Sequence, residues 1–404
     1  MILRAWRPVL APALMVWLIA SVLTAVMHVS TGDLGEYHRY ALALLNPHGG
    51  ARLPAEYPAP ALLVFLAPLL LPLPYAWGFC LLVGAALVAL LHGFSDAAGG
   101  ELDVAAARRL LAYLALGAVM FLTARYDIFA VAAAFLALRA GRRGRWGAAW
   151  AWSSAGFLLK LFPAVLWPVL FLAEWRASGR MPWRRLAWAA ASLAVLVGVP
   201  LAIEPSATWN AAHYYLARPS EIGSLGAGLA LVADPHAWHY VLSFHSVNAV
   251  GPLVGPVSAV IGVAALAGLV ATWWAQGAGR LSLEAAALCS VTLLVVGSKV
   301  FSVQYLLWLL PLWALERPRA GWIVAAVVST AVFPLTVSAM TLGHLAARQY
   351  LVSLTLVDLL RDLVVVAGTV AWLRGAQGRR VERVHGSSDL WIVPGSEPIL
   401  AEGR

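Results

Sequence analysis

Charge is what this chain has least of. Of its 404 residues only 12% are Asp, Glu, Lys or Arg, against 62% hydrophobic, and the mean hydropathy is +0.80. No soluble domain of this size needs that composition. Cysteine is nearly absent: Cys80 and Cys289 each lie inside an apolar stretch, which excludes a disulfide framework and leaves them as small core residues. The motifs of soluble enzymes are missing as well. There is no Gly-rich phosphate loop, no His-Glu-x-x-His metal site and no Gly-x-Ser-x-Gly elbow, and the ten His are scattered rather than paired with Cys at metal spacing. The formal charge of +9 does not mean nucleic acid, because the Arg residues fall in short clusters between apolar runs and form no extended basic arm.

Apolar sequence fills the space. A spanning helix takes about 20 apolar residues at about 1.5 Å rise each, and the expectation is an all-α, polytopic integral membrane protein of about twelve transmembrane helices. The spans fall at 9–29, 75–94, 108–124, 126–140, 147–159, 161–175, 186–203, 248–274, 281–297, 301–315, 320–341 and 350–373. Arg4 and Arg7 ahead of the first run resemble the start of a signal peptide, but the run is long and no clear small-residue cleavage site ends it, so it reads as an uncleaved span. Arg139, Arg142, Arg143 and Arg145 form one basic loop, Arg176, Arg180, Arg184 and Arg185 a second, and Arg317 with Arg319 a third. All three belong on the cytoplasmic side by the positive-inside rule. With Arg4, Arg7, Arg374, Arg379 and Arg380 also inside, both termini are cytoplasmic and the number of crossings is even. Segment 58–72 would make the count odd; with prolines at 54, 58, 60, 68, 72 and 74 it reads instead as a juxtamembrane or re-entrant helix. The organisation expected is one multi-span domain over 1–374, with a first extracytoplasmic loop at 30–74 and a second large outer segment at 204–247. A polar cytoplasmic tail over 375–404 is expected to be disordered.

On this topology the outer face collects both carboxylates and cations, whereas the inner loops are mainly Arg flanked by Trp. Asp33 stands in Thr31-Gly32-Asp33-Leu34-Gly35-Glu36-Tyr37, immediately after the first span. A carboxylate at such a threshold is a functional candidate. Asp33, Glu36, Tyr37 and Tyr40 fall at i, i+3, i+4 and i+7, one face of a helix beginning near Leu34. Asp33 with Glu36 is equally an N-terminal capping pattern. A polar, Pro-rich stretch follows with Glu56-Tyr57-Pro58, which a simple anchor does not need. Arg125-Tyr126-Asp127 lies between two apolar runs, where an isolated charge at mid-bilayer costs roughly 2.5–3.5 kcal/mol; it is a paired functional site or a pair that shapes a tight turn. Lys160 is the only charge between Arg145 and Glu174, and either snorkels to the interface or binds a ligand. Lys299 comes with Gln304 and Tyr305 as further hydrogen-bonding groups, and two lysines on one side suit an anionic ligand.

With these residues in view the chain resembles the polyprenyl-phosphate-dependent glycosyltransferases of the GT-C superfamily, most closely glycosyltransferase family 87, which groups bacterial alpha-mannosyltransferases. Asp33 to Tyr37 and Glu56-Tyr57-Pro58-Ala59-Pro60 look like the family's acidic loop and its Tyr-Pro-Pro stretch, with Ala59 where a second Pro is common. Arg125-Tyr126-Asp127, Lys160-Leu161-Phe162-Pro163, Arg218 to Leu225 and Ser302-Val303-Gln304-Tyr305-Leu306-Leu307-Trp308 look like further family segments. Where the family tends to carry an acid directly before Ser224, this chain has Gly223, and Glu221 lies two positions earlier. The resemblance implies a GT-C-like fold in the plasma membrane that transfers a hexose, mannose by analogy, from a polyprenyl-phosphate sugar to an extracytoplasmic lipid-linked or glycan acceptor, with inversion. It makes Asp33 the general base. Glu36, Tyr37, Glu56, Tyr57, Arg125, Asp127, Lys160, Arg218, Lys299, Gln304 and Tyr305 become substrate-binding residues, among which the cations, with Arg348, stabilise the leaving phosphate. No cofactor is required; the scattered carboxylates indicate no divalent metal, although Asp127 and Glu36 could recruit one.

Other classes compete with this reading. About twelve spans with buried Lys and Asp also suit a secondary transporter or a lipid or glycan flippase. A carrier usually shows related halves, yet the Asp33 loop has no counterpart after residue 200 and segment 204–247 is not mirrored in the first half. A non-catalytic envelope scaffold would tolerate the loss of Asp33.

Overall fold

The computed structural model describes residues 2–26, 32–46, 53–95, 102–342 and 348–386. Helix dominates, as it must where lipid offers the backbone no hydrogen-bond partner. Among the described residues five helices are long and apolar enough to cross a bilayer: α1 (Ile2–Val26), α4 (Tyr75–His92), α9 (Trp183–Ile203), α12 (Val254–Gly277) and α15 (Ala320–Leu342). The expected count of about twelve is not reached on that measure. Most of the other expected spans are shorter helices: α5 (Val104–Gly117), α6 (Asp127–Arg142), α7 (Trp146–Leu159), α8 (Leu166–Ser178), α13 (Leu283–Gly297) and α14 (Leu310–Ala314). Proline is one physical reason. Pro163 sits in a 3-10 turn (Phe162–Val165) ahead of α8, and Pro311 in the first turn of α14, which follows a 3-10 stretch (Val303–Trp308).

α16 (Arg348–Gly386) is a single long helix with Asp358, Arg361 and Asp362 clustered in its first half. It carries the chain twelve residues past the expected tail boundary at 374, because Ala376, Gln377, Arg379, Arg380 and Glu382 are good helix formers and no proline intervenes. Residues 387–404 lie outside the described residues, as do Arg52, His344 and the last residues of the first expected span, 27–29.

The segment after α1 holds α2 (Asp33–Leu45), and its stretch 58–72 is a chain of short pieces rather than one helix: a 3-10 turn (Ala59–Ala61), α3 (Leu62–Leu66) and a second 3-10 turn (Ala67–Leu70). Between α9 and α12 lie α10 (Pro205–Ala217), α11 (Leu225–Ala233) and an antiparallel sheet that the sequence pattern does not predict. Its strands are β1 (Ser220–Glu221), β2 (His239–Ser243) and β3 (Ser246–Val250), in the order β1-β3-β2, with Ser220 opposite Ala249 and Ser243 opposite Ser246. β3 takes residues expected to start a span, so α12 begins only at Val254. The β2–β3 turn is Phe244-His245, both at positive φ (52° and 53°), the left-handed pair a two-residue hairpin demands.

The core runs through the middle of the molecule. α6 is buried along most of its length and packs on α7 and α4, while α9 and α12 turn Leu193, Val197, Val260, Val263 and Leu266 outward, where lipid can meet them. Trp313 and Trp322 stack in the interior at 5.4 Å.

Candidate active site

A cavity of about 670 Å³ opens where α2, the Arg125–Tyr126 loop, the α7 end, the β1-β3-β2 sheet and the 298–305 loop converge. Nine of the expected site residues line it: Asp33, Glu36, Glu56 and Tyr57 from the segment between α1 and α4, and Arg125, Lys160, Arg218, Gln304 and Tyr305 from four later segments.

Asp33 is the first residue of α2. Gly32 occupies the cap position and no side chain caps the helix, so the capping pattern seen in the sequence is not used. The Asp33 carboxylate instead forms an ion pair with Arg125, and the Tyr37 hydroxyl lies 3.5 Å from the same oxygen, Oδ2. Both partners keep some access to the cavity, at 25% and 18% side-chain exposure. Burial pulls the Arg125 guanidinium below its ordinary value, against the opposing pull of Asp127 and Glu221. Glu36 pairs with Arg39 at the outer edge.

Asp127 does not line the cavity. It is wholly buried at the start of α6, where Oδ1 accepts from Lys160 Nζ at 2.7 Å and from Trp308 Nε1 at 2.8 Å. Lys160 Nζ also lies 5.0–5.5 Å from the ring centres of Tyr126, Tyr305 and Trp308. Trp308 in turn stacks on both Tyr305 and Phe162 at 4.2 Å. The Lys160 ammonium is thus caged by π faces over a buried carboxylate, not snorkelling. Burial pulls it below its ordinary value and Asp127 pulls it back.

Tyr37 is likewise buried behind the wall, stacked on Phe65 at 4.3 Å and edge-on to Tyr57 and Tyr126. Glu56 accepts from the Tyr40 hydroxyl at 2.8 Å, and its backbone carbonyl from the Tyr215 hydroxyl at 3.0 Å. Burial pushes Tyr215 up to about 12, so at neutral pH it remains a donor.

Arg218 is held by the Ser246 hydroxyl at 3.0 Å and faces Glu221 at 4.0 Å. Glu221, Tyr214, Tyr215 and Ser246 all line the cavity and were missed as site residues. Tyr214, Arg218 and Glu221 stand at i, i+4 and i+7, a polar stripe that could have marked them. Burial holds Glu221 above the ordinary carboxylate range although Arg218 draws it down. At Gly223, where the resemblance leads one to expect an acid, a Cβ would stand 2.9 Å from the Phe301 carbonyl and 3.2 Å from Asp358 Oδ2, so an acidic side chain does not fit.

Lys299 is not in this cavity. It lines a second one, of about 620 Å³, beside α12, and donates to the Leu216 carbonyl at 3.1 Å; Arg218 borders both cavities. Arg348 is also elsewhere, bonded to the Pro235 carbonyl. Among the described residues no three His, Cys, Asp or Glu side chains converge in a way that could hold a metal ion.

A family model described as glycosyltransferase family 87 matches residues 56–298, more than half of the chain. The chain belongs to glycosyltransferase family 87. With its apolar helices it is a membrane glycosyltransferase, and its substrates are a sugar donor and an acceptor. No curated protein and no solved structure matches it. The family 87 match takes in Glu56, Tyr57, Arg125, Asp127, Lys160 and Arg218, but Asp33, Glu36, Tyr37, Lys299, Gln304 and Tyr305 lie outside it. The cavity joins both groups.

Proposed function

We propose that this family 87 enzyme transfers a hexose, mannose by family analogy, from a polyprenyl-phosphate sugar to a hydroxyl of a lipid-linked or glycan acceptor at the extracytoplasmic face of the plasma membrane, with inversion. The observation that carries the reading is a single cavity in which Asp33 meets Arg125, Lys160 and Arg218. The acceptor oxygen attacks the anomeric carbon, the bond from that carbon to the phosphate oxygen breaks, and the acceptor proton passes to Asp33. A sugar hydroxyl is a weak nucleophile, so a carboxylate within hydrogen-bond reach supplies what it lacks. The leaving phosphate needs no proton, but it develops charge that fixed cations stabilise. Arg125 stands next to the base and Arg218 at the border with the second cavity, so charge compensation is available on more than one side of the reacting centre. Tyr57 and Tyr305 offer aromatic surface for the apolar side of a sugar ring, and the lipid-facing helices give the polyprenyl chain a place to lie.

The test is sugar transfer from a polyprenyl-phosphate sugar by wild-type and Asp33→Asn protein in membranes. General-base loss is expected to lower the rate by about 10²–10⁴-fold at unchanged expression. Full activity of the variant sinks the assignment of Asp33, and transport without covalent transfer sinks the reaction itself.

A further inference from the structure

Three charges in α16 play no part in the chemistry above, yet all three are buried in the interior of the protein. Asp358, Arg361 and Asp362 stand at i, i+3 and i+4 with side-chain exposures of 3%, 0% and 0%. Arg361 Nη1 lies 2.8 Å from Asp358 Oδ1, while Nε and Nη2 donate to Asp362 Oδ1 at 3.0 and 2.8 Å. Such a trio is costly away from water, and apolar residues of similar volume are often no less stable than buried ion pairs. Mutual compensation therefore explains why the three charges are tolerated together. It does not explain why they are there.

The remaining contacts of Arg361 do. Nη2 also donates to the Gly223 carbonyl at 2.7 Å and approaches the Phe301 carbonyl at 3.2 Å, and the guanidinium lies 4.0 Å over the Phe301 ring. These carbonyls belong to two different walls of the cavity. Gly223 closes the loop that presents Arg218 and Glu221, and Phe301 opens the stretch that presents Ser302, Gln304 and Tyr305. The Glu221 amide ties the same two loops by donating to the Lys299 carbonyl at 2.9 Å. The loops meet so closely that only glycine fits at 223. A planar fork with five donors can reach two carboxylates and two carbonyls at once; an ammonium cannot.

We propose that Arg361 is a positioning residue that clamps the 220–224 and 299–303 loops, with Asp358 and Asp362 holding its guanidinium in orientation. It touches no substrate and acts through the register of Arg218, Glu221, Gln304 and Tyr305. The kinetic part of the test rests on the sugar-transfer reading; the structural part does not.

The experiment uses the full chain in lipid nanodiscs. Arg361→Met on its own strands two buried carboxylates and is expected to fold poorly, so the informative variant is Arg361→Met/Asp358→Asn/Asp362→Asn, which removes the trio as a unit, alongside Arg361→Lys. The triple variant is expected to insert normally and to lose ~10- to 100-fold in kcat with KM for donor and acceptor within about threefold, since the binding groups stay but shift out of register. Arg361→Lys, which keeps the charge but not the fork, is expected to resemble the triple variant in kcat. Amide hydrogen exchange within 220–224 and 299–303 is expected to rise at least about tenfold in both variants while α6 is unaffected. Wild-type exchange in these loops, wild-type kcat in a folded triple variant, or full rescue by Lys overturns the clamp. If the wild type itself transfers no sugar from polyprenyl phosphate, the reaction proposed above falls, and the exchange data alone decide the clamp.

Discussion

Lys160 shows how far a single charge in apolar sequence can be read. Its isolation between Arg145 and Glu174 singles it out, but its partner Asp127 lies 33 residues away, and only folding brings the two within 2.7 Å. The pair makes each member expensive to remove alone. Lys160→Met leaves Asp127 wholly buried with, among the described residues, the Trp308 indole as its remaining side-chain donor, and is expected to cost about 3–5 kcal/mol. Asp127→Leu added to Lys160→Met should recover most of that loss, because it removes the stranded charge. Thermal unfolding in detergent of the two singles and the double measures this. A loss in the double variant equal to the sum of the two single losses would mean that the pair is not coupled. Asp33 behaves differently: its position after a span marks it, yet its pattern with Glu36 reads as a cap, and only the Arg125 contact shows where the carboxylate turns.

At the scale of elements, long apolar runs declare themselves and short structures do not. α1, α4, α9, α12 and α15 fall where hydropathy places them. The sheet does not, because β1 has two residues and pairs Ser220 with Ala249 and Glu221 with Asn248, beyond any local periodicity. The breaks at Pro163 and Pro311 were visible as residues, but not the 3-10 geometry around them. β1 also decides the state of Glu221 by burying it, which holds its carboxyl above the ordinary range against the pull of Arg218. A pKa higher in the folded than in the unfolded state favours folding below the unfolded value of about 4.3. That contribution is lost as pH rises through the folded value. Wild-type stability relative to Glu221→Gln should therefore decline with rising pH, so the Tm advantage of the variant should be larger at about pH 8 than at about pH 5. Melting curves at both pH values check this, and a constant difference would show that ionised Glu221 carries no penalty.

For the molecule as a whole, orientation is the property the arginines predict. Cys80 and Cys289 are both buried, so probes can be introduced against a quiet background. In intact cells a membrane-impermeant maleimide should modify Ser206→Cys, at the start of α10, and should reach Ser178→Cys, beside the Arg176 loop, only after permeabilisation. The opposite pattern would invert the protein and move the cavity to the cytoplasmic side.

Apolar content, the long helices, the basic loops and the candidacy of Asp33, Arg125 and Lys160 were all determined by sequence alone, because each depends on residues adjacent along the chain or on one helix face. Tertiary structure decided the rest. It placed Lys299 in a separate cavity, joined Asp127 to Lys160, brought Glu221 into the site and assembled the Asp358–Arg361–Asp362 trio against two distant loops. Hydrophobicity acts on every residue independently and so survives as a linear pattern. Compensation of a buried charge depends on which partner the fold delivers, and that information exists only in three dimensions.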